Sequence, residues 1–251
     1  MSKIFILWLF MSAFLASFTL YASADKKDFA QELLIASDRA RGSLQDGIQW
    51  TAIVESDENE EHTLREFDVR ASADDAYVEA LTPAKNKGEV YIFNDRNMWF
   101  FKPNLKKPVS ISARQKLSGQ AANGDIASTH YARDYDPIIE KTELIDGEKM
   151  HVLILTGKSK NLTYDKIRYW ISDKSKLAVK AEFLTLQGKA FKIGFLKYDN
   201  KILINGKNIP FISELKIIDA KFENNKSIIR YKNPKMIKIS KAIFNVNNLT
   251  R

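Results

Sequence analysis

Residues 90–101 read VYIFNDRNMWFF. Two short runs of β-branched and aromatic residues flank Asn94-Asp95-Arg96-Asn97, a cluster of turn formers, and that pattern predicts a β-hairpin. Each run is apolar at successive positions, so both faces of each strand are expected to be covered. Val152-Leu153-Ile154-Leu155 reads the same way. Upstream the period is two: Ile48, Trp50, Ala52 and Val54 alternate with polar or smaller residues, as do Phe67 and Val69, and Tyr77, Glu79 and Leu81 oppose Val78 and Ala80.

Downstream the same reading predicts strands at Lys166–Ser172, Val179–Leu186, Lys189–Tyr198, Phe211–Asp219, Ser227–Tyr231 and Ile237–Phe244. The breaks between them are turn formers: Asp173-Lys174-Ser175, Gln187-Gly188, Asn205-Gly206 and Asn224-Asn225. About eleven strands at short spacing, with no helices between them, exclude a βαβ architecture. They predict a mainly β chain built on one large curled antiparallel sheet or barrel.

One helix is legible. Phe29, Leu33, Leu34, Ala36 and Ala40 recur at spacings of three and four, and Gly42 stops the run. Residues 114–136 (RQKLSGQAANGDIASTHYARDYD) fit neither period. A stretch this long in a compact domain is either a functional lid or a surface excursion with a short helix.

The first residues read as an export signal. Lys3 precedes the apolar run from Ile4 to Leu20, and Ala22-Ser23-Ala24 supplies the small residues of a cleavage site, so cleavage after Ala24 and a periplasmic location are expected. An uncleaved anchor is the alternative, because the run is long enough to span a bilayer. Residues 25–251 are expected to form a single domain without disulfides, thiolate chemistry or Cys-based metal sites, because the chain has no cysteine.

Charge is divided unevenly. Residues 25–150 carry 17 Lys+Arg against 24 Asp+Glu, or −7, whereas residues 151–251 carry 21 against 7, or +14. Export argues against nucleic acid as the partner of the basic half. Anionic headgroups suit that compartment better, and solvated lysines on the outside of a sheet account for most of the excess.

Catalytic patterns are sparse. His62, His130 and His151 are scattered, and no metalloprotease, phosphate-loop or nucleophile-elbow spacing occurs. Asp125, His130, Asp134 and Asp136 form the one cluster suited to acid–base or metal chemistry, weighed against turn-capping carboxylates on a solvated loop. No enzyme activity, metal or cofactor is expected. Aromatics are more informative. Trp50, Phe67, Tyr77, Tyr91, Phe93, Trp99, Phe101, Trp170, Phe183 and Phe195 all fall in predicted strands, and with Val69 they are the residues expected to line an apolar cavity on the concave face. Each of them taken singly is more often ordinary core.

Several segments taken together are similar to the outer-membrane lipoprotein-sorting family, the LolA/LolB-like group. They are Ser37-Asp38-Arg39-Ala40-Arg41-Gly42, Pro83-Ala84-Lys85-Asn86-Lys87-Gly88, Asn97-Met98-Trp99-Phe100-Phe101-Lys102-Pro103, Leu117 to Ala127, Ala132-Arg133-Asp134-Tyr135-Asp136, Tyr169-Trp170-Ile171-Ser172 and Ile243 to Leu249. The resemblance implies an unclosed antiparallel half-barrel with a helical or loop lid, in which Leu117, Ile126 and Tyr131 take part. It implies a monomeric carrier of lipid or lipoprotein acyl chains, with an inner-membrane transporter (of the RND type) and an outer-membrane acceptor as partners and no nucleic acid. A lipid-sensing or adaptor domain of the same fold is the alternative. An arginine near the cavity tunes release in such carriers, and Arg65 and Arg70 are the positions considered for it here.

Overall fold

The computed structural model describes residues 26–44, 47–127 and 129–250. The expected export signal and its cleavage site lie outside them. Helix α1 spans residues 26–39 and ends in a turn at Gly42, whose φ of 97° only glycine adopts freely. The apolar stripe inferred from spacing is the buried one: Ala30, Leu33 and Leu34 are all within 2% of full burial.

The strands follow in chain order as β1 (Ile48–Glu58), β2 (Glu61–Ser72), β3 (Asp75–Thr82), β4 (Val90–Asn94), β5 (Asn97–Phe101), β6 (Val109–Ile111), β7 (Lys116–Ser118), β8 (Ala121–Ala122), β9 (Tyr135–Ile145), β10 (Glu148–Gly157), β11 (Lys166–Ser172), β12 (Ala178–Leu184), β13 (Ala190–Lys197), β14 (Asn200–Ile204), β15 (Lys207–Phe211), β16 (Glu214–Asp219) and β17 (Lys226–Met236). A short helix α2, Tyr131–Asp134, precedes β9. Thirteen strands form one open antiparallel sheet in the order β6-β5-β4-β3-β2-β1-β17-β16-β13-β12-β11-β10-β9. The expected half-barrel is therefore the observed one, with more strands than the eleven predicted.

The sheet's middle is the β1–β17 pair, where the two ends of the chain meet, and its free edges are β6 and β9. Those edges are joined in sequence by residues 112–134, which carry the β7–β8 hairpin and α2. The β14–β15 hairpin leaves the sheet between β13 and β16 and folds against β17.

Strand alternation sets the inner face. Along β1, Ile48, Trp50, Ala52 and Val54 are buried while the residues between them are half-buried. Pairing carries this face sideways: Trp50 lies opposite Val69, Val69 opposite Val78, Val78 opposite Tyr91 and Tyr91 opposite Phe100. In the other half a matching row runs from Ser56 through Ser227, Ile217, Gly194, Ala181 and Tyr169 to Leu153. Phe183 closes on Gly194, where an added Cβ would sit 3.3 Å from its ring.

Three predicted boundaries fail. The chain after β17 forms no final strand over Ile237–Phe244; it turns into 3-10 helices at Lys241–Phe244 and Val246–Thr250, the first capped by Ser240. This segment packs on the convex side of β3 and β4, which is why Ile92 is fully buried there. Strand β9 begins within the stretch that fitted neither period, at Tyr135. The run predicted from Phe211 starts on β15, whose hairpin with β14 was not foreseen.

Candidate functional site

The concave side is closed by two covers. Helix α1 lies over the β10–β13 half, with Ser37 Oγ 3.4 Å from Tyr169 OH and Gln31 Nε2 donating to the Ala132 carbonyl at 2.7 Å. Two positions past the helix end, Arg41 continues the spacing of Leu33 and Ser37 and so points inward. Its side chain is 6% exposed and donates from Nη1 to Tyr169 OH at 2.9 Å. The guanidinium stands 5.1 Å from the centre of the Tyr131 ring, with Tyr198 and Tyr231 also within electrostatic reach. None of the ion pairs among the described residues includes Arg41, and its Nε has no hydrogen-bond partner.

Two buried carboxyls lie near. Burial pushes the Asp38 carboxyl up to about 8, against the lowering effects of the Ala132 amide (N–H to Oδ2, 2.7 Å) and of Arg41. At neutral pH Asp38 is mostly protonated. Burial likewise raises Asp125, partly offset by Lys192; its Oδ2 accepts from Tyr164 OH at 2.9 Å and from the Ala122 amide at 2.8 Å.

The second cover is the 112–134 segment, which crosses the β1–β6 half. The Ser227 hydroxyl donates to the Ser118 carbonyl at 3.0 Å and accepts from the Gln120 amide at 2.8 Å, so one side chain of β17 holds the β7–β8 turn. Arg65 reaches the same cover from β2. It donates to the Leu117 carbonyl at 3.2 Å while paired with Glu89 at 3.0 Å, and its guanidinium stacks 4.9 Å from the Phe67 ring. Leu117 and Ile126 are buried under the cover, and the Tyr131 ring packs edge-on to Tyr135 and Tyr169.

Between these covers the inner face is filled by the protein's own side chains. A cavity of about 90 Å³ remains, bounded by Arg41, Phe93, Met98, Asp125, Tyr131 and Leu162. A larger groove of about 670 Å³ opens where α1, α2 and the β14–β15 hairpin meet. Ile35, Leu44, Ile204, Ile209 and Met236 line it, with Arg39, Lys207 and Arg133 at its rim. The groove, unlike the small cavity, falls in the range of about 300–1,000 Å³ usual for small-molecule sites.

Of the residues expected to line the concave face, Trp50, Phe67, Val69, Tyr91, Phe93 and Phe183 are on it. Tyr77, Trp99, Phe101, Trp170 and Phe195 stand on the convex face instead. Tyr77 sits under Arg70 and beside Glu79. Trp99 and Phe101 pair with outward Ile92 and Val90. Trp170 joins a separate outer cluster with Met150 and Val152 and donates to Glu143, and Phe195 is 41% exposed. Of the two arginines considered, Arg65 is inside, whereas Arg70 pairs with Asp68 outside.

Of the polar cluster in residues 125–136, Asp125, His130 and Asp134 border the small cavity, but each is engaged by a different partner. Asp125 faces Tyr164, Asp136 is exposed, and Asp134 is held by Arg96 at 2.9 Å and Arg133 at 2.8 Å. His130 lies 3.1 Å from Ser43 Oγ and 3.6 Å from Asp74; burial pushes its imidazole down to about 4. Among the described residues no group of three or more His, Asp or Glu is placed to hold a metal, and no helix is long and apolar enough to cross a membrane. Sequence reasoning missed Arg41 and, of the tyrosines around it, Tyr169, Tyr198 and Tyr231; Tyr131 it placed in the lid. The signal was the spacing of Leu33, Ser37 and Arg41.

A family model described as "Uncharacterized protein" matches residues 72–251. Among solved structures, a LolA superfamily protein from Nitrosomonas europaea is 29% identical over 87% of this chain and 98% of its own, with a TM-score of 0.78. The chain belongs to the family of that model, and its fold is that of the LolA superfamily protein. Two further matches share the fold. A DUF1329 family protein from Desulfovibrio piger is 19% identical over 89% of this chain and 99% of its own, with a TM-score of 0.72. An outer membrane lipoprotein-sorting protein domain from Vibrio parahaemolyticus is 18% identical over 90% and 100%, also with a TM-score of 0.72. No curated protein matches.

Proposed function

We propose that this LolA-like protein is an exported, non-enzymatic carrier. It takes acyl chains of lipoproteins or other lipids onto the concave face of its half-barrel and hands them to an outer-membrane acceptor or an RND-type transporter. The observation that carries the reading is the way the apolar inner face is covered. Helix α1 and the 112–134 segment shield Trp50, Phe67, Val69 and Tyr91, and the second of these is tied down by separate polar contacts, at Ser227, Arg65, Thr63, Glu58, Lys192 and Tyr164 among others, rather than by a second sheet. An acyl chain kept from water gains about 0.8 kcal/mol per CH₂, so a long chain outweighs the displacement of such contacts. The groove at the α1–hairpin junction, apolar within and cationic at its rim, is the entry that leads to this face.

The test is native mass spectrometry of the protein purified from periplasm, followed by lipid extraction and uptake of a fluorescent fatty-acyl probe. Co-purified acyl species, or stoichiometric uptake after delipidation, are expected. A lipid-free protein that also refuses the probe when Gly119 is replaced to loosen the cover overturns the reading.

A further inference from the structure

Arg41 is a fixed charge that the buried carboxyls Asp38 and Asp125 influence at a distance but do not pair with. Its guanidinium is buried, its nearest hydroxyl partner is the neutral Tyr169, and no carboxylate among the described residues lies within ion-pair distance. Burying a cation without a counter-charge is costly, and proteins normally pair such groups. Here one donor, Nε, faces no acceptor at all. Another donor of the same interior shares that state: Trp50 Nε1, whose ring packs against Tyr231. A buried polar atom without a partner calls for a cause. Two pure donors that lack acceptors ask for an acceptor, and the cation of the two asks for an anionic one.

The carboxyls nearby do not meet that demand. Asp38 turns one oxygen to the Ala132 amide and leaves the other unbonded, and it is mostly neutral at pH 7. Asp125 is spoken for by Tyr164 and the Ala122 amide. The cavity of about 90 Å³ that reaches Arg41 is on the scale of a headgroup and well below that of a chain. On its far wall Asp74, Asp95 and Asp134 are engaged by Arg96 and Arg133, which leaves Arg41, among the described residues, as the cation of the cavity without an ion pair.

We infer that Arg41, with its tyrosine surround, seats the oxyanion of the cargo, so that the preferred ligand is an anionic amphiphile, carboxylate or phosphate, over an uncharged one of equal chain length. This rests on the carrier reading and names its substrate class. The bound oxyanion would accept from Arg41 in a water-poor setting, where a charge-assisted hydrogen bond is strong and salt screens it little.

The experiment is displacement of a fluorescent acyl probe from the delipidated full chain by hexadecanoic acid, hexadecyl phosphate and hexadecan-1-ol, each at low and high salt. At least one anionic ligand is expected to bind roughly tenfold or more tighter than the alcohol, the scale of a hydrogen bond to a charged group, and to keep that preference at high salt. Arg41→Met is expected to erase the preference and Arg41→Lys to keep part of it. A stronger acid than phosphate points to free fatty acids, and the reverse to a phospholipid source. Equal binding of all three by the wild-type chain, or a preference lost in salt, overturns the inference and leaves the carrier reading standing. Binding of none overturns the carrier reading itself. The wild-type comparison decides even if Arg41→Met does not fold.

Discussion

Ser56 Oγ and Ser227 Oγ lie 2.7 Å apart, on neighbouring strands at the middle of the sheet, directly beneath Gly119 of the cover. A Cβ at Gly119 would meet Ser56 Cβ at 2.6 Å and Ser227 Oγ at 2.7 Å, and its φ of 51° is unfavourable for most side chains. Replacement of Gly119 by Ala is therefore expected to lift the β7–β8 turn. Faster probe uptake with the sheet intact by circular dichroism is the outcome to look for; unaltered uptake kinetics would count against this contact as the holding point.

Ser227→Ala removes the acceptor of the Gln120 amide and the donor to the Ser118 carbonyl. Losing such buried partners costs about 1–3 kcal/mol. Hydrogen exchange of the Gln120 and Ala121 amides should accelerate accordingly, more than that of the β1 and β17 amides. Equal acceleration everywhere would mean that the serine supports the whole sheet rather than the cover.

Thr63 Oγ1 and Ser118 Oγ are 2.8 Å apart, one on β2 and the other on the cover. The chain has no cysteine, so Thr63→Cys with Ser118→Cys forms a single defined bridge. Oxidation is expected to slow acyl-probe uptake by about tenfold or more, the effect of roughly 1.4 kcal/mol on a barrier, and reduction to restore it. Uptake at the reduced rate in the oxidised protein would show that cargo enters without movement of this cover.

Asp38 gives the stability a defined pH dependence. Its folded value of about 8 lies above the ordinary 3.8, so between those limits the folded state holds a proton that the unfolded chain has lost, and stability falls as pH rises. His130, lowered from 6.5 to about 4, acts in the opposite sense, but only below 6.5. The decline should therefore be clearest between pH 6.5 and 8, at up to about 1.4 kcal/mol per pH unit for one proton. The groups facing Asp38 are Arg41 on its own segment and the Ala132 amide and Asp134 on α2. Asp38→Asn should flatten this part of a thermal-denaturation series; an identical slope in the variant would remove Asp38 as its cause.

The two faces should respond differently to truncation. Trp50→Ala opens a cavity in the fully buried interior and should cost about 3–5 kcal/mol. Trp99→Ala, on the convex face, should leave acyl-probe affinity unchanged. Loss of affinity in a folded Trp99→Ala protein would place binding on the other side of the sheet.

The contrast between Trp50 and Trp99 also marks what the sequence reveals. On β1 a polar or smaller residue separates each pair of apolar ones, so parity assigns Trp50 to the interior. On β5 the run Met98-Trp99-Phe100-Phe101 is apolar at every step, its outer residues Trp99 and Phe101 lying beside Ile92 and Val90 of β4, and a run without alternation carries no parity. Tyr77, Trp170 and Phe195 fail for a related reason: an aromatic on an outer face, propped by Arg70, Lys180 or neighbouring side chains, looks the same in sequence as one inside. Strand β9 was hidden by Pro137 and its many charges, both of which an edge strand tolerates. Arg41 was hidden by its charge, which normally signals solvent, although its spacing from Leu33 and Ser37 placed it on the buried stripe.

The route of the chain through the sheet constrains how such a protein can breathe. The cover begins at edge strand β6 and ends at edge strand β9, so it is a belt buckled at both hips of the half-barrel. A belt has no loose end to swing aside. It gains slack when the two edges draw together and tightens when they spread, which couples the width of the barrel to the freedom of the segment across it.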